Sequence, residues 1–116
     1  MFSLEDLDFD YMTTDGYNHL CDEVEKVILS GTTISADTWK AIYHADVVNI
    51  VDERTYFDEI DNGWIPTNVY FRISNKYFTF WYDQSVTGEV LDKFYDLAAV
   101  PVHKETRTIE VWEEGE

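Results

Sequence analysis

Asp6-x-Asp8-x-Asp10 sets three carboxylates at alternating positions, the spacing with which a calcium-binding loop begins. Such a loop needs glycine at its sixth position for the sharp turn and glutamate at its twelfth as a bidentate ligand. Here those positions hold Tyr11 and Tyr17, so the three acids are expected to form a solvated face, with no metal bound. His19, His44 and His103 lie far apart in sequence and lack the paired spacing of a zinc site. Cys21 is the only cysteine, which excludes an internal disulfide and points to a reducing compartment. It falls on an apolar stripe, where an inert buried thiol is expected rather than a nucleophile. There is no Gly-rich phosphate loop and no serine-nucleophile elbow. Among so many carboxylates some pair always suits acid–base chemistry, and only geometry could single one out. The chain is therefore expected to be neither an enzyme nor dependent on a cofactor.

The charge is more informative. Twenty-four Asp and Glu stand against eight Lys and Arg, a formal charge of −16 over 116 residues. The excess is uneven: fifteen acids and three bases through Asp61, nine acids and five bases from Asn62 onward. Like charge at this density opposes compaction. It also excludes direct binding of nucleic acid, whose phosphates are held by Lys and Arg. Tyrosines and tryptophans near Arg72, Lys76 and Arg107 could stack bases in principle, but those cations are too few, and packing is the expected role of the rings. The fitting partner is a basic protein surface, one that itself binds DNA or RNA.

The elements that would carry these residues can be read from periodicity. An aromatic content of 16% argues for a folded chain rather than an acidic disordered tail, and the length fits one domain. Residues 1–46 read as a mainly helical acidic part and residues 47–116 as mainly antiparallel sheet. Residues 2–15 alternate apolar and acidic types and suit a strand or an extended arm. Tyr17, Leu20, Cys21, Val24, Val27 and Ile28 predict a helix from Tyr17 to Ser30 with Gly31 as its stop. Ser35 is an N-cap for a second helix bearing Trp39, Ile42 and Tyr43. Near Ala45 the residues turn β-branched, predicting a strand through Val47, Val48, Ile50 and Val51 toward Phe57, with a longer helix as the competing reading. Asp61-Asn62-Gly63 and Pro66 mark a turn or loop, and Asn68 to Asp83 form a hairpin turning at Ser74-Asn75-Lys76. Aromatics on both faces of the second hairpin strand place it centrally in its sheet or under cover on both sides. Val90, Leu91, Phe94 and Tyr95 are spaced for a short helix, and Pro101 separates it from a last strand, Glu105 to Trp112. The fold class is thus α+β, two N-terminal helices followed by an antiparallel sheet of about four strands.

The candidate binding surface has two parts. One is the polar side of the first helix, with Asp15, Asp22, Glu23 and Glu25. The other is Asp52, Glu53, Asp58, Glu59 and Asp61, around the first strand and the loop after it. Carboxylates arrayed like phosphates could occupy a Lys/Arg-lined channel, with salt-sensitive, electrostatically steered association. Plain solubility and adaptation to high salt are the competing explanations of the charge.

From Val47 to Trp112 the order of features resembles small orphan proteins encoded by phages and prophages of Gram-positive bacteria. The features are Val47-Val48, the turn at Asn75-Lys76-Tyr77, Thr87-Gly88-Glu89, and a strand from Thr106 ending at Trp112. The resemblance implies a context in which small acidic proteins inhibit host nucleases, as anti-restriction and anti-CRISPR proteins do. It carries over no functional residue. It implies action in the cytoplasm of a bacterial host on a nucleic-acid-binding defence protein. A phage structural or assembly protein, self-associating through its sheet as a homodimer or larger oligomer, is the alternative. The N-terminus, Met1-Phe2-Ser3-Leu4-Glu5-Asp6, lacks the basic and apolar regions of a signal peptide, and no apolar run reaches the ~20 residues of a membrane span.

Overall fold

The computed structural model describes residues 1–88 and 90–103. Helix α1 spans Thr14–Leu29 and helix α2 Ala36–His44, followed by strands β1 (Asn49–Thr55), β2 (Trp64–Ile73), β3 (Lys76–Ser85) and β4 (Val100–Val102). The four strands form one antiparallel sheet in the order β1-β2-β3-β4. The architecture is α+β, with the helices N-terminal to the sheet.

Each helix is set by its caps. Thr13 accepts from the Gly16 amide to open α1, and Ser35 accepts from the Thr38 amide to open α2. Asp96 adds a second acceptor at the start of α2, taking the Ala36 amide at 2.7 Å. Both helices end in the same motif, in which a left-handed residue lets the next amide reach back to the third-last helical carbonyl. In α1 that residue is Gly31 (φ 73°), and Thr32 N donates to Val27 O at 3.2 Å. In α2 it is Asp46 (φ 51°), and Val47 N donates to Ile42 O at 3.2 Å. The competing reading of a helix running through Val51 fails at Asp46, where the backbone turns toward β1.

Both helices lie on one face of the sheet. Leu20, Val24 and Ile28 of α1 and Trp39 and Ile42 of α2 share a core with Val69, Phe71 and Ile73 of β2 and Phe78, Phe80 and Tyr82 of β3. Trp39 has no exposed surface and stacks on Phe80 with ring centroids 4.4 Å apart. The N-terminal segment is an arm against this core. Phe2 exchanges backbone hydrogen bonds with Thr33 and Ser35, the Leu4 amide donates to Thr38 Oγ1, and residues 4–6 make one 3-10 turn.

Several boundaries differ from the sequence expectation. β2 begins at Trp64, so Pro66 lies inside a strand rather than in a loop. It is tolerated because β1 ends at Thr55: the Pro66 carbonyl accepts from Tyr56 N, and the Tyr56 carbonyl that would seek an amide at position 66 accepts from Glu59 N instead. The hairpin turn is two residues, Ser74 and Asn75, because Ile73 pairs with Lys76. β3 is flanked by β2 and β4 and is therefore central, as its aromatics suggested.

The expected helix at Val90–Tyr95 is absent. Phe94 turns inward and stacks on Tyr82 at 4.7 Å, whereas Tyr95 turns outward onto Trp81 at 4.5 Å. Neighbours facing opposite sides define extended backbone, not helix. Between the Asp83–Lys93 bridge and the Thr79–Val100 pair, β3 advances four residues while its partner uses seven. The surplus swings out to bridge Leu97 with Ile34, ahead of α2. The fourth described strand is Val100–Val102, with Pro101 inside it, while the expected strand Glu105–Trp112 lies outside the described residues.

Candidate protein-binding surface

The nine carboxylates singled out in the sequence do not share one face. On α1, Asp15 and Asp22 are exposed and point away from the core stripe of Leu20, Val24 and Ile28. Glu23 and Glu25 fan to the two flanks. Glu23 meets Lys26 and His19, each at 3.6 Å, and Glu25 borders a cleft with Cys21, Asn49, Arg72 and Ser74. That cleft holds about 160 Å³. Glu25 therefore sits at the hairpin end of the sheet.

Asp58, Glu59 and Asp61 sit at the other end. Phe57–Glu59 form a 3-10 turn after β1, and Asp61 bridges Trp64 at the start of β2. All three are exposed. The ten residues of β2 span about 30 Å, which sets the scale between Glu25 and this group. Asp52 and Glu53 lie between them on β1 but face opposite sides. Asp52 pairs in register with Tyr70 on the helix-free face and meets Arg54 at 3.5 Å. Glu53 pairs with Val69 on the helix side, beside the Tyr43 hydroxyl. Burial, reinforced by Glu53 and Tyr82, holds that phenol well above the usual tyrosine range. Asp6, Asp8 and Asp10 lie along the N-terminal arm, where Asp10 accepts from the Met12 amide. Among the described residues no three His, Cys, Asp or Glu converge to hold a metal ion.

Among the described residues, the two halves of the chain use their acids differently. Asp83, Asp92 and Asp96 each accept an internal hydrogen bond, from Tyr95, Ser85 N and Ala36 N. Those carboxylates build the fold. Of the nine candidates, ion pairs among the described residues engage only Glu23 and Asp52. Asp15, Asp22, Asp58, Glu59 and Asp61 face solvent.

Sequence reasoning missed what lies on the helix-free face. It assigned the hairpin rings to packing, and four of the seven do pack: Phe71, Phe78, Phe80 and Tyr82 point into the core. Tyr70 and Trp81 have the opposite parity and point outward, with Asn68 and Asp83 beside them. Tyr56 and Tyr95 join them from the flanking segments. Asn68 Nδ2 donates to the Tyr56 and Tyr70 hydroxyls at 3.4 and 3.5 Å. The Tyr70 hydroxyl beside it raises the Tyr56 pKa. Tyr95 donates a short hydrogen bond to Asp83, and its phenol is pushed up to about 12, first by burial and then by that carboxylate. The signal was present in the strict alternation of Asn68, Tyr70 and Arg72 against Val69, Phe71 and Ile73.

Comparison with family models, curated proteins and solved structures gives no match. No helix among the described residues is long and apolar enough to cross a membrane.

Proposed function

We propose that the chain is a non-enzymatic inhibitor that docks its acidic surface on a basic, nucleic-acid-binding site of a bacterial defence nuclease, within the host cytoplasm. One observation carries the reading. Among the described residues, the sheet-half carboxylates Asp83, Asp92 and Asp96 are tied into the fold, whereas Asp15 and Asp22 of α1 and Asp58, Glu59 and Asp61 are exposed and outside the ion pairs. Such charges repel one another in the free protein and gain a counter-charge only from outside. Acids spread from α1 to the Phe57–Asp61 segment, along a sheet whose strand β2 is about 30 Å long, suit a channel that accommodates several phosphates of a nucleic-acid strand. Self-association through a sheet edge is the weaker reading, because β1, the edge strand among the described residues, carries Asp52, Glu53 and Arg54, charges that guard an edge against pairing.

Inhibition of DNA cleavage by an RNA-guided nuclease tests this directly. Inhibition falls steeply between 50 and 200 mM salt, on the order of the losses seen for other multi-contact electrostatic interfaces. Reversal of Asp58, Glu59 and Asp61 to Lys abolishes it while circular dichroism is unchanged. Full inhibition retained by that variant, and by a matching Asp15/Asp22/Glu25 reversal, refutes acidic docking.

A further inference from the structure

The helix-free face of the sheet is built as a contact surface. Tyr56, Tyr70, Trp81 and Tyr95 cluster on it, while Trp64 and Tyr77 share the outward strand parity toward its two ends. Among the described residues no helix lies over them, since both helices bury their apolar stripes against the opposite face. Trp81 leaves 40% of its surface exposed and Tyr56, Tyr70 and Tyr95 are half-buried. Their orientations are fixed in advance by the Tyr56–Asn68–Tyr70 hydroxyl cluster, by the Trp81–Tyr95 stack and by the Tyr95–Asp83 hydrogen bond. Pre-set aromatic rings lose little conformational freedom on binding, which is why Trp and Tyr dominate binding hot spots.

The face also shows which chemistry its rings accept. The Arg54 guanidinium lies 6.0 Å from the Tyr70 centroid, and Lys93 Nζ lies 5.4 Å from that of Tyr95. Trp81 sits between these two pairs in the register, opposite Asn68, which is itself opposite Arg54. It is the best cation acceptor of the ring types present, and among the described residues no cation covers it. The charge of the chain selects the occupant. A second copy would bring −16 against −16, and a nucleic acid would bring phosphates against the same field. A cationic protein segment meets neither penalty. Guanidinium fits better than ammonium, because it stacks flat on a ring while its N–H groups reach carboxylates such as Asp83.

We infer that the helix-free sheet face anchors arginine side chains of the basic partner, with Trp81 as the central contact and the exposed carboxylates steering the approach. This rests on the reading that the partner is basic, and it divides the work: carboxylates set the rate and salt dependence, rings set the residence time.

The test uses two synthetic peptides of equal length and charge, an Arg-Gly repeat and a Lys-Gly repeat, titrated into the full chain by calorimetry with tryptophan fluorescence as a second readout. The Arg peptide binds about fivefold more tightly than the Lys peptide. The Trp81→Ala variant loses that preference, and Trp81→Phe recovers part of it. Tyr70→Ala, on the other side of Asn68, weakens the preference as well and serves as the second variant should Trp81→Ala alter the near-ultraviolet circular dichroism. Equal affinity for the two peptides, or an unchanged preference in Trp81→Ala and Tyr70→Ala, overturns the anchoring role while leaving acidic docking in place. Failure of both peptides to bind at low salt overturns both readings.

Discussion

The carbonyl oxygen of Asp10 occupies the place where a side chain at Gly16 would begin: a Cβ built on Gly16 would lie 1.6 Å from it. Thr13 fixes the same approach, donating from Oγ1 to Asp10 O at 3.0 Å and accepting from Gly16 N at 3.0 Å. A glycine inside the first turn of a helix, unfavourable by about 1 kcal/mol against alanine, is here the condition for the arm to reach α1. Gly16→Ala should therefore destabilise by about 1–3 kcal/mol despite its better helix propensity, because backbone must move to admit the methyl. Urea unfolding measures the loss, and an unchanged or raised midpoint would mean the arm does not hold this position in solution.

Asp46 gives the opposite expectation. It ends α2 at φ 51°, in the left-handed region that costs a residue with a Cβ about 1 kcal/mol and glycine almost nothing. Its side chain is exposed. Asp46→Gly should raise stability by several tenths to about 1 kcal/mol and also lower the like-charge repulsion. A lower urea midpoint would show that the Asp46 side chain has a role the contacts do not reveal.

Tyr95 makes stability depend on pH on the alkaline side. Its folded pKa, about 12, lies above the unfolded value near 10, so the protonated phenol favours the folded state. That contribution is complete below pH 10 and is lost as pH rises from about 10 to 12. Tyr95→Phe removes the Tyr95 component of this dependence, which the difference between thermal unfolding curves of the two proteins at pH 9 and pH 11 would show. Tyrosinate absorbance of the folded proteins should differ by one phenol titrating late.

How much of this was legible depends on whether a residue's role is local. Gly31 stops α1 and Ser35 starts α2 through contacts within one turn, so periodicity and capping rules place both helices to within three residues. The hairpin follows from alternation alone. Phe94 and Tyr95 misled because helical spacing over four residues also fits extended backbone whose partners lie elsewhere, on Tyr82 and Trp81. Pro66 misled because its tolerance depends on where a different strand ends. For the candidate surface, sequence could count the acids of residues 1–61 but could not know that Asp52 and Glu53 face opposite sides, or that Trp81 is left uncovered. Which face a strand buries is decided by the helices packed against it.

Leu97 has a kinetic consequence. Its carbonyl accepts both the Ile34 amide and the Trp39 indole N–H, each at 2.9 Å, the latter from a residue 58 positions away. The link between the helices and the core position of Trp39 thus rest on a segment made after the whole hairpin. A nascent chain released only as far as β1 lacks that segment and the sheet on which Trp39 packs. Folding is therefore expected to be a late event in synthesis and to be limited by closing this long loop rather than by forming either helix.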